Sequence, residues 1–202
     1  MTDAAASLTK PRARAGFLLI FGMMPAMTTT SPWYVLTGGP CAGKTTLIEE
    51  FKQRGYSVLP EGARIVIAAE LAVGKSIQDI LAEPLALQHK IISHYVELET
   101  EAPRNETLFL DRGIPDIVAY YRKFNLSDDA ALKNALASAQ YRKVFLLDMI
   151  EFVKDTERYE SPEEAAALHR LIRAAYEGLK YDIVEVPVLP VPERADFILK
   201  NL

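Results

Sequence analysis

The sequence is short of several features that commit a chain to a particular chemistry. Its 202 residues include one cysteine, Cys41. No internal disulfide can form, which suits a reducing compartment. With three histidines and no close His/Cys spacing, a structural zinc site is a poor fit. Positive charge is not in excess: 23 Lys and Arg face 27 Asp and Glu, a formal net charge of -4. A protein built mainly to hold nucleic acid carries the opposite balance, although a local basic pocket for phosphates is still allowed. No apolar run approaches the roughly 20 residues that cross a bilayer. The nearest is Gly16-Phe17-Leu18-Leu19-Ile20-Phe21-Gly22-Met23-Met24. It follows Lys10, Arg12 and Arg14 and imitates the charged and apolar regions of a signal peptide. Residues 1–32 are expected to form a disordered or loosely packed extension, with Met27 a candidate natural start.

From Tyr34 onward, short apolar runs alternate with helical patterns, as in βαβ units around a parallel sheet. Strands are predicted at 34–37, 57–59, 107–110, 144–147 and 183–186. After the first strand comes a helix in which Leu47, Ile48 and Phe51 share one face, Glu50 and Arg54 pair at i,i+4, and Gly55 closes the end. Further helices are expected over 62–71, 85–101, 114–124 and 128–137, the last capped by Ser127. Ser161-Pro162-Glu163-Glu164 has the form of a helix start. A proline-rich turn (Pro187, Pro190, Pro192) precedes a short final helix. No internal repeat or domain linker is visible, so 33–202 reads as one domain.

Gly38-Gly39-Pro40-Cys41-Ala42-Gly43-Lys44-Thr45 matches the Walker A pattern G-x4-G-K-S/T. Glycines let the backbone curl so that successive N–H groups face phosphate oxygens. The helix that follows points its positive end at the same place. Lys44 is expected to reach the β- and γ-phosphates of ATP, Thr45 to ligate Mg²⁺ and Thr46 to approach the α-phosphate. Cys41 fills a free position of the loop. Asp111, at the tip of an apolar strand, is the candidate Walker B carboxylate for Mg²⁺. The absence of an Asn-Lys-x-Asp segment disfavours a Ras-like GTP switch.

Three further segments resemble the nucleoside and nucleotide kinases of the P-loop class. Leu59-Pro60-Glu61-Gly62-Ala63-Arg64 is similar to a V-P-E-P-x-A-R segment whose glutamate serves those enzymes as general base. Asp111-Arg112-Gly113 is similar to an element whose arginine binds substrate phosphates. Asp155-Thr156-Glu157-Arg158-Tyr159-Glu160 resembles a lid in which an arginine closes over the transferred phosphoryl group. Gln88 falls on a helix that in deoxynucleoside kinases carries a base-reading glutamine, and the Pro187–Pro192 turn lies where related kinases cover the adenine. Residues 33–202 as a whole resemble the small AAA/ATPase-domain family that includes the kinase domain of the bacterial regulator NadR. That likeness extends to Pro192-Glu193-Arg194-Ala195-Asp196, but there is no arginine-finger or sensor pattern of a ring-shaped motor.

The fold expected is a three-layer α/β/α P-loop NTPase domain with a five-stranded parallel sheet. The expected function is Mg²⁺-dependent transfer of the ATP γ-phosphoryl to a small, nucleoside-like acceptor, in the cytoplasm and without membrane or nucleic acid. Lys44, Glu61, Asp111, Arg112 and Arg158 are the candidate catalytic residues, with Glu61, Arg64, Gln88 and Arg112 at the acceptor. The three histidines are expected to pack or face solvent. The alternative is a regulatory nucleotide-binding module or slow NTPase, which needs the phosphate site but no base at Glu61.

Overall fold

The computed structural model describes residues 31–150 and 161–202. The segment expected as a lid, with Arg158, lies outside the described residues, as does the extension up to residue 30. The described chain runs β1 (Trp33–Thr37), α1 (Lys44–Gln53), β2 (Ser57–Leu59), α2 (Gly62–Ala72), α3 (Ile77–Ala82), α4 (Pro84–Glu101) and β3 (Leu108–Asp111). It continues with α5 (Ile114–Lys123), α6 (Ala130–Ser138), β4 (Lys143–Leu147), α7 (Pro162–Gly178), β5 (Ile183–Val186) and α8 (Val191–Lys200). The five strands form one sheet in the order β2-β3-β1-β4-β5, every pair parallel. This is the three-layer α/β architecture that the strand–helix alternation predicts.

Strand periodicity assigns the two faces. Trp33 and Val35 of β1, Leu108 and Leu110 of β3, and Val144 and Leu146 of β4 join one apolar cluster. That cluster also receives Leu87, Ile91 and Tyr95 of α4, Ile114 and Ile117 of α5, and Leu168 and Ile172 of α7. The alternate residues, Tyr34, Leu36, Phe109, Phe145 and Leu147, face Leu47, Ile48 and Phe51 of α1 and Ala195 and Ile198 of α8. Phe51 stacks on Phe109 with ring centroids 3.9 Å apart. All five residues of β1 are buried because helices cover both sides of it, as in the centre of a parallel sheet. Trp33, fully buried, donates its indole N–H to the Pro103 carbonyl, and Arg104 lies over its ring.

Two local expectations are corrected. The helix at 130–138 is capped by Asp129, which accepts from the Leu132 N–H, and not by Ser127. The Asp129 carboxylate also meets His89 and Tyr121, so tertiary bonds decide among the adjacent polar residues. A short helix, α3, fills the stretch between Gly74 and Pro84, started by a Ser76/Asp79 capping box. The Ser161/Glu164 capping box of α7 forms as expected.

Behind the N-terminus of α5, the Tyr141 hydroxyl receives the Ile114 N–H and donates to the buried Glu99. Burial pushes the Glu99 carboxyl up to about 7, outweighing the Tyr141 bond and Arg104. A carboxyl whose pKa is raised by folding stabilises the native state fully below its unfolded value, and that contribution is lost as pH rises through about 7. Glu99→Gln is therefore expected to stabilise the protein by about 1–3 kcal/mol at pH 8 and to change little near pH 4.5. Thermal melts at the two pH values check this; an equal shift at both would contradict a buried titrating carboxyl.

Candidate phosphate and acceptor site

The loop between β1 and α1 has its carbonyls drawn outward, one after another, by donors from the rest of the molecule. The Gly38 carbonyl accepts from Lys44 Nζ (3.1 Å) and Arg112 Nη1 (3.2 Å), and the Gly39 carbonyl from Lys44 Nζ (2.9 Å). The Cys41 carbonyl accepts from the Ile150 N–H, and the Ala42 carbonyl from Arg194 Nη1 at 2.8 Å. With these four carbonyls engaged and the Gly39 N–H given to His169, the remaining N–H groups of the loop are the candidate anion nest. Two glycines are required for it. Gly38 has φ +144°, and a Cβ there would lie 2.8 Å from the Leu147 carbonyl oxygen. Gly43 has φ +77°, in the left-handed region that side chains avoid. Gly43 also sits at the N-cap of α1, which has no side-chain cap and no acidic residue in its first turn. The opening N–H groups of α1 therefore have no side-chain cap, as at α2, α4 and α8, and α1 alone of these follows the glycine loop.

Lys44 is buried at the base of this nest. Burial, reinforced by the Arg112 charge, lowers its ammonium to about 8 despite Asp111 and Glu61 nearby. Thr45 and Thr46 are exposed at the mouth. The Thr45 hydroxyl lies 3.4 Å from Asp111 Oδ2, while Asp111 Oδ1 is buried with no hydrogen-bond partner. Burial and the neighbouring Glu61 raise the Asp111 carboxyl to about 6. An orphaned carboxylate oxygen beside a hydroxyl is a hard-oxygen pair of the kind Mg²⁺ takes when phosphates complete its shell. These residues fit the ion. Among the described residues no group of three or more His, Cys, Asp or Glu is placed to hold a metal. Asp111 does not cap α5; that place is held by Gly113, whose N–H donates to Asp116.

Next to the loop is an acid–base network that joins three strand ends. Arg112 directly follows β3 and is held at φ +70°, unusual for a non-glycine residue, by a bond from its N–H to the Leu36 carbonyl. This kink turns its side chain inward. Arg112 Nε donates to Glu61 Oε1 (2.9 Å) and Nη1 to Asp116 Oδ1 (2.7 Å). Asp116 also accepts from Thr37 Oγ1 and, through its other oxygen, from Gly113 N and the Tyr176 hydroxyl. Glu61 occupies the N-cap position of α2, yet its side chain makes no cap bond. It turns instead to Arg112 and to Arg64 Nε at 2.8 Å. Burial would raise the Glu61 carboxyl, but Arg112, Lys44 and Arg64 outweigh it and hold the pKa below the usual glutamate value. Glu61, Arg112 and Lys44 are thus gathered around the Gly38 carbonyl, with Arg64 exposed at the rim.

Gln88 lies on the buried face of α4, 2% exposed, and its Oε1 has no partner. His94, also on α4, packs close to Gly62 at the start of α2. His169 packs half-buried, and its Nδ1 accepts the Gly39 N–H (3.1 Å), which ties α7 to the loop. That bond puts the proton of the neutral ring on Nε2. Sequence reasoning also passed over Asp116, whose signal was its place three residues after Gly113, the acidic third position of a helix start. It gave Arg194 no role. His169 and Arg194 have no local signal, since they reach the loop from 130 and 152 residues away.

Solved structures share this architecture. NadR in complex with NAD and AMP-PNP superposes with a TM-score of 0.63 at 16% identity, over 85% of this chain and 49% of that one, so the chain spans about half the length of NadR. Thymidylate kinase from Ehrlichia chaffeensis gives 0.57 at 13% identity, covering 84% and 97% of the two chains. Deoxyadenosine kinase from M. mycoides with bound dATP gives 0.56 at 15%, with the same coverage. At such identities the likeness is one of fold, that of the P-loop nucleoside and nucleotide kinases. No curated protein matches the sequence. The model of a family described as an AAA domain matches residues 33–194, from the first residue of β1 to Arg194, and the chain belongs to that family.

Proposed function

We propose that the chain is a phosphotransferase that moves the γ-phosphoryl group of Mg·ATP to a hydroxyl of a small, nucleoside-like acceptor. The observation that carries this reading is the junction at the Gly38 carbonyl. One peptide oxygen there binds both Lys44, the expected phosphate ligand, and Arg112, which holds Glu61. A nucleotide-binding module needs the first arm alone. The second arm, a carboxylate and a guanidinium on the same carbonyl as the phosphate lysine, supports transfer to an acceptor, which needs both.

Phosphoryl transfer asks the protein mainly to position groups and offset charge. The first-turn N–H groups of α1 and Lys44 hold the β- and γ-phosphates. Thr45 and Asp111 would hold Mg²⁺, which when bound would offset phosphate charge. Glu61, kept ionised by Arg112, takes the proton as the acceptor oxygen bonds to the γ-phosphorus and ADP leaves. Arg112 stands close enough to share the charge on the transferred group, and Arg64 and Gln88 contact the acceptor. The same reading places the protein in the cytoplasm with ATP. Among the described residues no helix is long and apolar enough to cross a membrane.

The test is a panel of nucleosides, vitamins and small alcohols incubated with γ-labelled ATP. Label in an organic product supports the kinase, and label in free phosphate alone supports a slow NTPase or regulatory module. With an acceptor in hand, Glu61→Gln is expected to slow transfer by about 10²–10⁴-fold. ATP affinity should stay within a few-fold of the parent. Unchanged transfer by Glu61→Gln would remove the general-base role.

A further inference from the structure

Arg194, near the start of α8, is 2% exposed and has an unusual set of partners. Its Nε donates to the Pro187 carbonyl (2.8 Å), Nη1 to the Ala42 carbonyl (2.8 Å), and Nη2 to the carbonyls of Asp148 (2.9 Å) and Val186 (3.3 Å). Every one of these described partners is a neutral carbonyl. The Asp148 carboxylate favours the charge from a distance, but burial outweighs it and draws the guanidinium's pKa down from its ordinary value. An arginine stays charged even so. Of the site's other buried cations, Arg112 touches both Glu61 and Asp116, whereas Lys44, at the nest itself, also bonds carbonyls.

Burying a cation against carbonyls alone is costly, and an apolar side chain of similar volume would stabilise the fold at least as well. The location suggests what offsets that cost. A Cβ built on Gly43, the N-cap of α1, would lie 3.3 Å from Arg194 Nη1, so the guanidinium backs directly onto the turn whose N–H groups open toward the phosphates. The same side chain ties that turn to the ends of β4 and β5 and to the turn after β5.

We propose that Arg194 is a positioning residue of the phosphate site whose permanent charge, seated behind the loop, supplies part of the field that binds the nucleotide's polyphosphate. The proposal rests on the nucleotide-binding reading above. It gives the buried cation its missing counter-ion, the β- and γ-phosphates on the other side of one layer of backbone. Carbonyl bonds hold the guanidinium without neutralising it, whereas a carboxylate partner would cancel the field at the loop. Arg194 touches no reacting atom; it acts through Ala42 and Gly43.

The experiment measures binding of Mg·ATP and of adenosine by calorimetry to the full chain and to Arg194→Gln, Arg194→Met and Arg194→Lys, with melting temperatures as a control on folding. The neutral variants are expected to lose about tenfold or more in ATP affinity. Adenosine, which carries no phosphate, should bind all of them as it binds the parent. Arg194→Lys keeps the charge but not the fork, and should recover most of the ATP affinity. Folded neutral variants that bind ATP like the parent, or an Arg194→Lys as weak as they are, would overturn the proposal. Should neither neutral variant fold, Arg194→Lys decides alone: ATP affinity within about threefold of the parent supports the role of charge, and a tenfold loss overturns it. No ATP binding by the unmodified chain would remove the nucleotide reading itself, and this role with it.

Discussion

Arg112→Met is expected to destabilise the protein by about 3–5 kcal/mol, a fall in melting temperature on the order of 10 °C. The methionine fills much of the volume but leaves Asp116 without a cation and Glu61 with only the exposed Arg64 as a direct partner. The side chains of Glu61 and Asp116 are only 13% and 3% exposed, so water cannot take over. Removing one partner of a buried ion pair costs far more than the pair contributes, because the remaining charge stays desolvated. In the variant Glu61 keeps the burial that raises its pKa and loses the guanidinium that most lowers it, and by linkage its stability contribution is lost as pH rises. The deficit should therefore shrink on acidification toward pH 5. Arg112→Lys should recover part of the loss and no more, since one ammonium cannot reproduce the planar fork that reaches Glu61, Asp116 and the Gly38 carbonyl together. Melting curves of both variants at pH 5 and pH 8 decide the matter. A variant that melts within 2–3 °C of the parent would mean that the network does not hold the site.

Lys44→Ala carries the second large effect, and it falls on ligand binding rather than on the fold. Its ammonium is already disfavoured where it stands, with a pKa of about 8, and it bonds two loop carbonyls but no carboxylate directly. Removing it relieves a buried charge, so the change in stability should stay within about 1–2 kcal/mol. Loss of this ammonium from the nest should lower ATP-dependent turnover by at least about 10²–10³-fold. The same depressed pKa sets a pH signature in the parent protein. Bound phosphates keep the ammonium protonated, whereas the free protein loses the proton as pH rises through about 8. ATP affinity should then fall with rising pH above 8, approaching tenfold per unit. Titration calorimetry between pH 7 and 9.5 reads this directly, and a flat profile would show that Lys44 does not meet the phosphates.

The parts of the molecule legible from sequence were those whose cause is local. Buried central strands require unbroken apolar residues, and the turn after β1 requires glycine at positions 38 and 43, so strand, loop and helix announce one another. The Ser161/Glu164 capping box marked the start of α7 for the same reason. Helix α3 was missed because six residues are too few to show a period, although Ser76 and Asp79 carry the box that begins it. At α6 the sequence offers Ser127, Asp128 and Asp129 side by side. The choice falls to contacts with His89 and Tyr121 that only the folded chain provides. The site divides along the same line. Glu61 and Arg112 stood in recognisable segments, but their ion pair spans 51 residues and depends on β2 lying next to β3. The roles of His169 and Arg194 exist only once α7 and α8 have folded back over the loop.

The position of Trp33 has a practical consequence for every measurement above. It is the only tryptophan in the chain, and it starts the strand whose other end feeds the phosphate loop. Four residues of extended backbone, about 13 Å, separate its Cα from that of Thr37. Its ring is sealed in the core, its N–H is taken by the Pro103 carbonyl, and a guanidinium covers one face. Its emission therefore reports whether the β-sheet is intact and is blind to whether the nest is filled. Intrinsic fluorescence thus reads loss of fold alone, so a variant with unchanged emission and weakened ATP binding by calorimetry has lost the ligand and not the fold.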